Sequence, residues 1–179
     1  MSFRQWHTRW LLGRRYRKTW AFMEPTVKAP CKVLDIGTRN AFSVIMEEKG
    51  LTVLNTKGED LDDFPETVAA YDVELATAFE IFEHLLNPLD VLREIKAPRL
   101  IASIPLSLWF DKAYRNKNDR WDQHFHEFED WQFDWLLEKA GWKIIRREKW
   151  TGPILIPGIR PVLRAITPRY YIVEAVRGK

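Results

Sequence analysis

Apolar positions along the chain fall into short continuous runs separated by stretches with helical spacing. Residues 3–22 read as a helix interrupted at Gly13 and stopped by Pro25 and Pro30. Residues 31–36 are a brief apolar run rich in Val and Ile, passing through Asp35 into Gly37 and a polar turn, which predicts a buried strand. Phe42, Ile45, Met46 and Lys49 follow helical spacing up to Gly50, and residues 51–54 are a second strand. A third apolar run covers residues 71–76. Asn87, Pro88 and Asp90 then predict a helix start, with Val91, Leu92 and Ile95 on its inner face and Pro98 as its stop.

Residues 100–104 read as a fourth strand, and 105–126 as a long polar and aromatic loop of the kind that carries function in compact domains. Phe133, Leu136, Leu137 and Ala140 define one more helix face, closed at Gly141. Two late strands follow at 142–148 and 170–176, and the Pro-rich insert between them has room for one short amphipathic helix. Strands alternating with helices through residues 31–141 predict an α/β fold with a mostly parallel sheet. The late pair, with no clear helical crossover, predicts an antiparallel edge.

Composition narrows the picture. The 179 residues suffice for one full hydrophobic core, and 46% apolar with 30% charged residues excludes a disordered or collagenous chain. A single cysteine, Cys31, excludes an intrachain disulfide or cysteine zinc cluster and suits the reducing cytoplasm. No run approaches a membrane span, and the N-terminus lacks the apolar core of a signal peptide.

Charge is partitioned. Residues 1–32 carry eight Lys/Arg against one acid, residues 143–179 nine against two, and the stretch between eleven against twenty-two. Trp6, Trp10, Trp20, Trp150, Tyr170 and Tyr171 are mixed with this basic charge, the chemistry of peripheral contact with an anionic membrane. Residues 1–30 are accordingly read as a basic, aromatic, helical extension on a domain spanning 31–179. No nucleic-acid motif accompanies the basic ends, so no specific nucleic-acid partner is expected.

A strand, then Asp35-Ile36-Gly37, then a helix places backbone N–H groups at the carboxyl edge of a sheet, where open α/β folds hold anionic ligands. Added to this, VLDIG at 33–37, the stretch at 71–95 with FEHLLNP, RLIASIP at 99–105, HFHEFEDWQFDWLLEKAGW at 124–142 and YIVEAVR near the end resemble the class I S-adenosylmethionine-dependent methyltransferases, in particular the compact small-molecule, ubiquinone-type group. The resemblance implies a single-domain Rossmann-like fold with an antiparallel last strand. The span between residues 54 and 71 is too short for a further strand and crossover, so one edge strand is reduced or absent.

By the same resemblance, Asp35, Gly37, Thr38 and Arg39 face the methionine end of S-adenosylmethionine. Asn55 meets the ribose, Asp60 and Leu61 the adenine, and Thr77, Ala78 and Phe79 the sulfonium. Arg39 and Ala41 stand where the family's turn has glycines, and Asn55 where it has an acid. Arg39 is expected to turn its guanidinium to the cofactor carboxylate. His84 and His126 are the candidate proton acceptors, and Trp109, Tyr114, Arg120 and His124 the candidate substrate contacts, with Arg115 and Trp121 beside them in the loop. No metal ligand set is assigned. The implied function is methyl transfer to a small molecule, lipid or glycan precursor. A catalytically degenerate binding module of the same fold is the alternative.

Overall fold

The computed structural model describes residues 3–119, 121–153 and 158–178, with side chains from residue 9 onward. Helix α1 (Phe3–Met23) leads into β1 (Lys32–Asp35), α2 (Ala41–Glu48) and β2 (Thr52–Asn55). A 3-10 turn at Pro65–Ala70 precedes β3 (Leu75–Phe79), and a second at Phe82–His84 precedes α3 (Pro88–Glu94) and β4 (Arg99–Pro105). The chain ends with α4 (Asp130–Lys139), β5 (Trp142–Thr151), α5 (Ile159–Ile166) and β6 (Pro168–Arg177).

These strands form one six-stranded sheet in the order β2-β1-β3-β4-β6-β5. β1 to β4 pair in parallel, while β6 runs antiparallel to both β4 and β5. β2 is an edge strand, because the segment after it forms only the 3-10 turn at Pro65–Ala70; this is the reduced edge expected from the short spacing. The chain moves outward from β1 to β2 and returns across β1 to β3. The switch point therefore lies between the carboxyl ends of β1 and β3.

Alternation along the strands divides the core in two. Leu34, Leu100 and Tyr171 join Phe82, Val91, Leu92, Phe133 and Leu137 beneath α3 and α4. Their sequence neighbours Val33, Ile101 and Ile172 join Phe22, Met23, Val27, Phe42 and Met46 beneath α1 and α2. Although residues 1–30 read as an extension, the C-terminal half of α1 thus contributes to one of the two cores.

Three local expectations are corrected. α1 runs unbroken through Gly13, because a single helical glycine costs about 1 kcal/mol and the helix has twenty other residues and a packed face to offset it. β3 begins at Leu75 rather than at residue 71: Tyr71 precedes it and donates its hydroxyl to the Asn55 carbonyl, and the small Ala76 and Ala78 carry the buried strand with little hydrophobic signal. At the start of α3 the Asn87 side chain makes no cap bond and donates to Asp90 instead. Among the described residues no helix is long and apolar enough to cross a membrane.

Candidate functional site

β1 ends at a buried carboxylate that ties four elements together. Asp35 Oδ2 accepts from Ser43 Oγ of α2 at 2.7 Å and from Asn55 Nδ2 of β2 at 3.2 Å, and Oδ1 accepts from Thr77 Oγ1 of β3 at 2.8 Å. Burial pushes the Asp35 carboxyl above its ordinary range, and the three donors pull it back. The chain then turns through Gly37 at φ 111°, where a Cβ would meet Ile81 Cδ1 at 3.1 Å. The positive φ strongly favours glycine there, and the Ile81 methyl adds crowding.

Over this turn lies a cavity of about 270 Å³, near the small end, roughly 300 Å³, of small-molecule sites. Its floor is Asp35, Ile36, Gly37 and Thr38, one wall is Asn40 and Phe42, and another is Phe79, Ile81 and Ser103. The Phe42 and Phe79 rings meet edge to face at 5.1 Å. α1 supplies the remaining wall through Arg15, Tyr16 and Thr19, with the Arg15 guanidinium 3.4 Å from Glu80 Oε2. These α1 residues escape a local reading of the sequence, since only the tertiary fold brings residue 15 beside residues 79–81. The one signal was an aromatic and small-residue face at 16, 19 and 20.

Four of the expected cofactor residues, Asp35, Gly37, Thr38 and Phe79, line this cavity; six others are placed elsewhere, among them Ala78, which is buried in the core. Arg39 forms a bidentate ion pair with Glu47 on the outer side of α2, because the planar guanidinium matches that carboxylate on a solvent-facing surface. Asn55 turns its amide inward, donating to the Asp35 and Gly37 carbonyls at 3.0 and 3.3 Å, so it braces the turn. Thr77 is fully buried against Asp35. Leu61 packs into the main core, and Asp60 accepts from the Asp62 amide in a local turn.

The amides at the start of α2 also differ from expectation. Asn40 Oδ1 accepts from the Phe42 and Ser43 amides in a reciprocal capping box, and the Gly37 amide donates to Thr56 Oγ1 at 2.9 Å. Two amides of the first helical turn are thus satisfied internally, and the positive group lining the cavity is Arg15.

The candidate proton acceptors lie outside the cavity lining. His84 Nδ1 donates to the Gln123 carbonyl at 2.9 Å, and burial holds its imidazole below the ordinary histidine value. His126 Nε2 donates to the Leu86 carbonyl at 3.2 Å while the ring stacks on Phe128. Each ties one loop to another.

The described residues between 106 and 129 are tied together by bridges and hydrogen bonds. Arg115 and Gln123 form an antiparallel bridge, the His124 amide donates to the Tyr114 carbonyl, and the Tyr114 hydroxyl donates to Asp122 at 2.8 Å. Of the expected substrate contacts, Tyr114 and His124 come together, with ring centres 5.0 Å apart. Trp109 is 77% exposed and lines a separate groove with Leu106, Glu129 and Lys149, and Trp121 is also exposed. Arg120 lies outside the described residues.

No protein-family model matches the chain, and no curated protein matches it in sequence. Solved structures do resemble it. A SAM-dependent methyltransferase from Archaeoglobus fulgidus superposes over 98% of this chain and 100% of its own, with TM-score 0.64 and 15% identity. The magnesium protoporphyrin IX methyltransferase of Synechocystis, solved with bound SAM, covers 99% of this chain and 85% of its own at TM-score 0.60 and 14% identity. The [4+2]-cyclase SpnF covers 91% and 81% at TM-score 0.61 and 14% identity. At these identities the likeness establishes the fold: the chain has the Rossmann-like architecture of S-adenosylmethionine-dependent methyltransferases.

Proposed function

We propose that the chain is an S-adenosylmethionine-dependent methyltransferase acting on a small molecule, lipid or glycan precursor. The observation that carries this is the cavity at the β1/β3 switch point, built over the Gly37 turn and walled by aromatic rings, with one guanidinium inside it. The SAM bound to the Synechocystis enzyme supports the same ligand for a chain of this fold.

The residues present suit such a ligand. Gly37 lets the backbone pass close to it, Tyr16, Phe42 and Phe79 offer ring surfaces to a cation, and Arg15 offers a partner for a carboxylate. When bound, S-adenosylmethionine supplies an already activated methyl group. The protein's part is therefore positioning and exclusion of water, without an obligatory base. α1 roofs the cavity, and the Asp35 network fixes the turn beneath it.

Calorimetric titration with S-adenosylmethionine and S-adenosylhomocysteine tests this reading. Saturable heats for both are expected. Absence of heat and of thermal shift at millimolar ligand would remove its basis. The degenerate binding module draws on the internally satisfied amides of Gly37 and α2; saturable binding with no methyl transfer across an acceptor panel would favour it.

A further inference from the structure

Outside the cofactor cavity, the turn after β3 buries a carboxylate whose oxygens lack hydrogen-bond partners among the described residues. Glu83 is 1% exposed, and neither of its oxygens has a hydrogen-bond partner among the described residues. A buried, unpaired polar group costs several kcal/mol and calls for an explanation. Its neighbours supply one. His84 Nε2 stands 3.7 Å from Glu83 Oε1, and one ligating atom from each of Glu83, His84 and His124 lies within 4.8 Å of the others.

The two imidazoles are held as metal ligands usually are. His84 Nδ1 donates to the Gln123 carbonyl and His124 Nδ1 faces Glu127 Oε1, each at 2.9 Å. Those bonds fix the proton on Nδ1, leave the Nε2 lone pair free and orient each ring, the outer-shell arrangement that raises ligand basicity. The backbone sets the register between the two segments: the Phe125 and His126 amides both donate to the Glu83 carbonyl, at 2.8 and 3.2 Å. The rings meet edge to face with centres 5.0 Å apart.

We propose that Glu83, His84 and His124 form a three-ligand site for a divalent transition-metal ion of the zinc type. Two imidazoles and a carboxylate suit Zn²⁺ and its first-row neighbours better than Mg²⁺ or Ca²⁺, which take oxygen ligands. Donors around a tetrahedral ion with bonds of about 2.1 Å stand roughly 3.4 Å apart, so the cluster closes on an ion with movements of an ångström or so. Three protein ligands leave a position for water or a hydroxyl ligand. None of the three residues lines the cofactor cavity, so metal binding and S-adenosylmethionine binding are read separately, and failure of either leaves the other standing.

The test uses the full chain, stripped by a chelator and titrated with Zn²⁺ against a chromogenic competitor. One equivalent is expected, with affinity falling at least roughly 10- to 100-fold in His84→Ala and in His124→Ala, and by a similar factor in Glu127→Gln, which removes the charge behind His124 and keeps an oxygen to accept from the Tyr114 amide. His126→Ala should bind as the unsubstituted chain does. Visible absorption with Co²⁺ on the unsubstituted chain gives a second measurement that needs no variant: ligand-field bands of a low-symmetry nitrogen and oxygen site are expected. Weak binding without such bands, or Zn²⁺ affinity kept when both histidines are replaced, would overturn the site.

Discussion

The hydroxyl of Thr77 donates to the carboxylate of Asp35 at 2.8 Å, joining the ends of β3 and β1 directly beneath the cavity. Because Ser43 and Asn55 donate to the same carboxylate, Asp35→Ala leaves three donors without their acceptor. The expected loss is about 2–4 kcal/mol of stability in urea denaturation, from the cost of orphaned buried polar groups. Asp35→Asn keeps the shape and should cost less. Burial raises the folded-state pKa of Asp35 above the unfolded value, so the folded state holds the proton more tightly. This group's contribution to stability is thus largest below the ordinary carboxylate pKa and is lost as pH rises through the raised folded value. A pH series should show that decline in the unsubstituted chain and not in Asp35→Asn; identical profiles would remove Asp35 as its source.

Arg39 provides a contrasting test, since its guanidinium is engaged with Glu47 outside the cavity. Arg39→Gly should change S-adenosylmethionine affinity by less than about twofold, as exposed ion pairs contribute little. A loss of tenfold or more in calorimetry would mean that the side chain leaves Glu47 for the ligand.

Arg15 is the group expected to matter. Arg15→Ala should weaken S-adenosylmethionine and S-adenosylhomocysteine by about 1.5–3 kcal/mol, the range for a hydrogen bond to a charged group. 5′-Methylthioadenosine has no amino-acid end and should bind both proteins alike. Equal losses for all three ligands would show that Arg15 supports the wall of the cavity and does not meet a carboxylate.

How far the sequence discloses this site follows from the range over which each interaction acts. The β1 turn is legible because Asp35 and Gly37 stand two positions apart and the turn is set by local backbone geometry. The roof is not: Tyr16 packs at a tilt against Phe42 and Arg15 reaches Glu80 only after α1 folds across the sheet, and periodicity shows a helix's apolar face without naming what it covers. The family resemblance places Thr77 and Asn55 against a ligand. The adjacent strands bring them close enough to Asp35 to satisfy it first. Likewise Glu83 and His124 stand 41 positions apart, and the Phe125 and His126 amides on the Glu83 carbonyl, with His84 Nδ1 on the Gln123 carbonyl, draw them together.

The basic ends lead to a prediction about lipid. α5 leaves Ile159, Val162 and Ile166 exposed, with Arg160 and Arg164 on the same short helix pairing with Asp111. From this mixture of apolar and cationic side chains we propose peripheral contact with anionic vesicles. Co-sedimentation should be greater with anionic than with neutral vesicles, should fall as salt is raised, and should weaken in Ile159→Ser/Ile166→Ser. Equal binding to both vesicle types would count against it.

Glu174 tests whether the roof depends on the far side of the sheet. Its buried carboxylate on β6 accepts from Arg99 Nε at 2.6 Å, from Arg146 Nε at 3.1 Å and from Thr26 Oγ1 at 3.1 Å. The two arginines also bind α1 and the turn that follows it, since Arg99 donates to the Thr26 carbonyl and Arg146 to the Phe22 carbonyl, with its guanidinium 3.9 Å from the Phe22 ring. One carboxylate thereby orients two cations that hold the end of α1, and α1 carries Arg15, Tyr16 and Thr19 to the cavity. Breaking a buried pair costs about 3–5 kcal/mol, less here because both arginines keep roughly a third of their surface in water, so Glu174→Ala should lose about 2–4 kcal/mol. Cofactor affinity should fall as well, because the α1 wall loosens, while Asp35 and Gly37 stay in place. If denaturation shows the full loss of stability and calorimetry shows unchanged S-adenosylmethionine affinity, the α1 roof contributes nothing to binding.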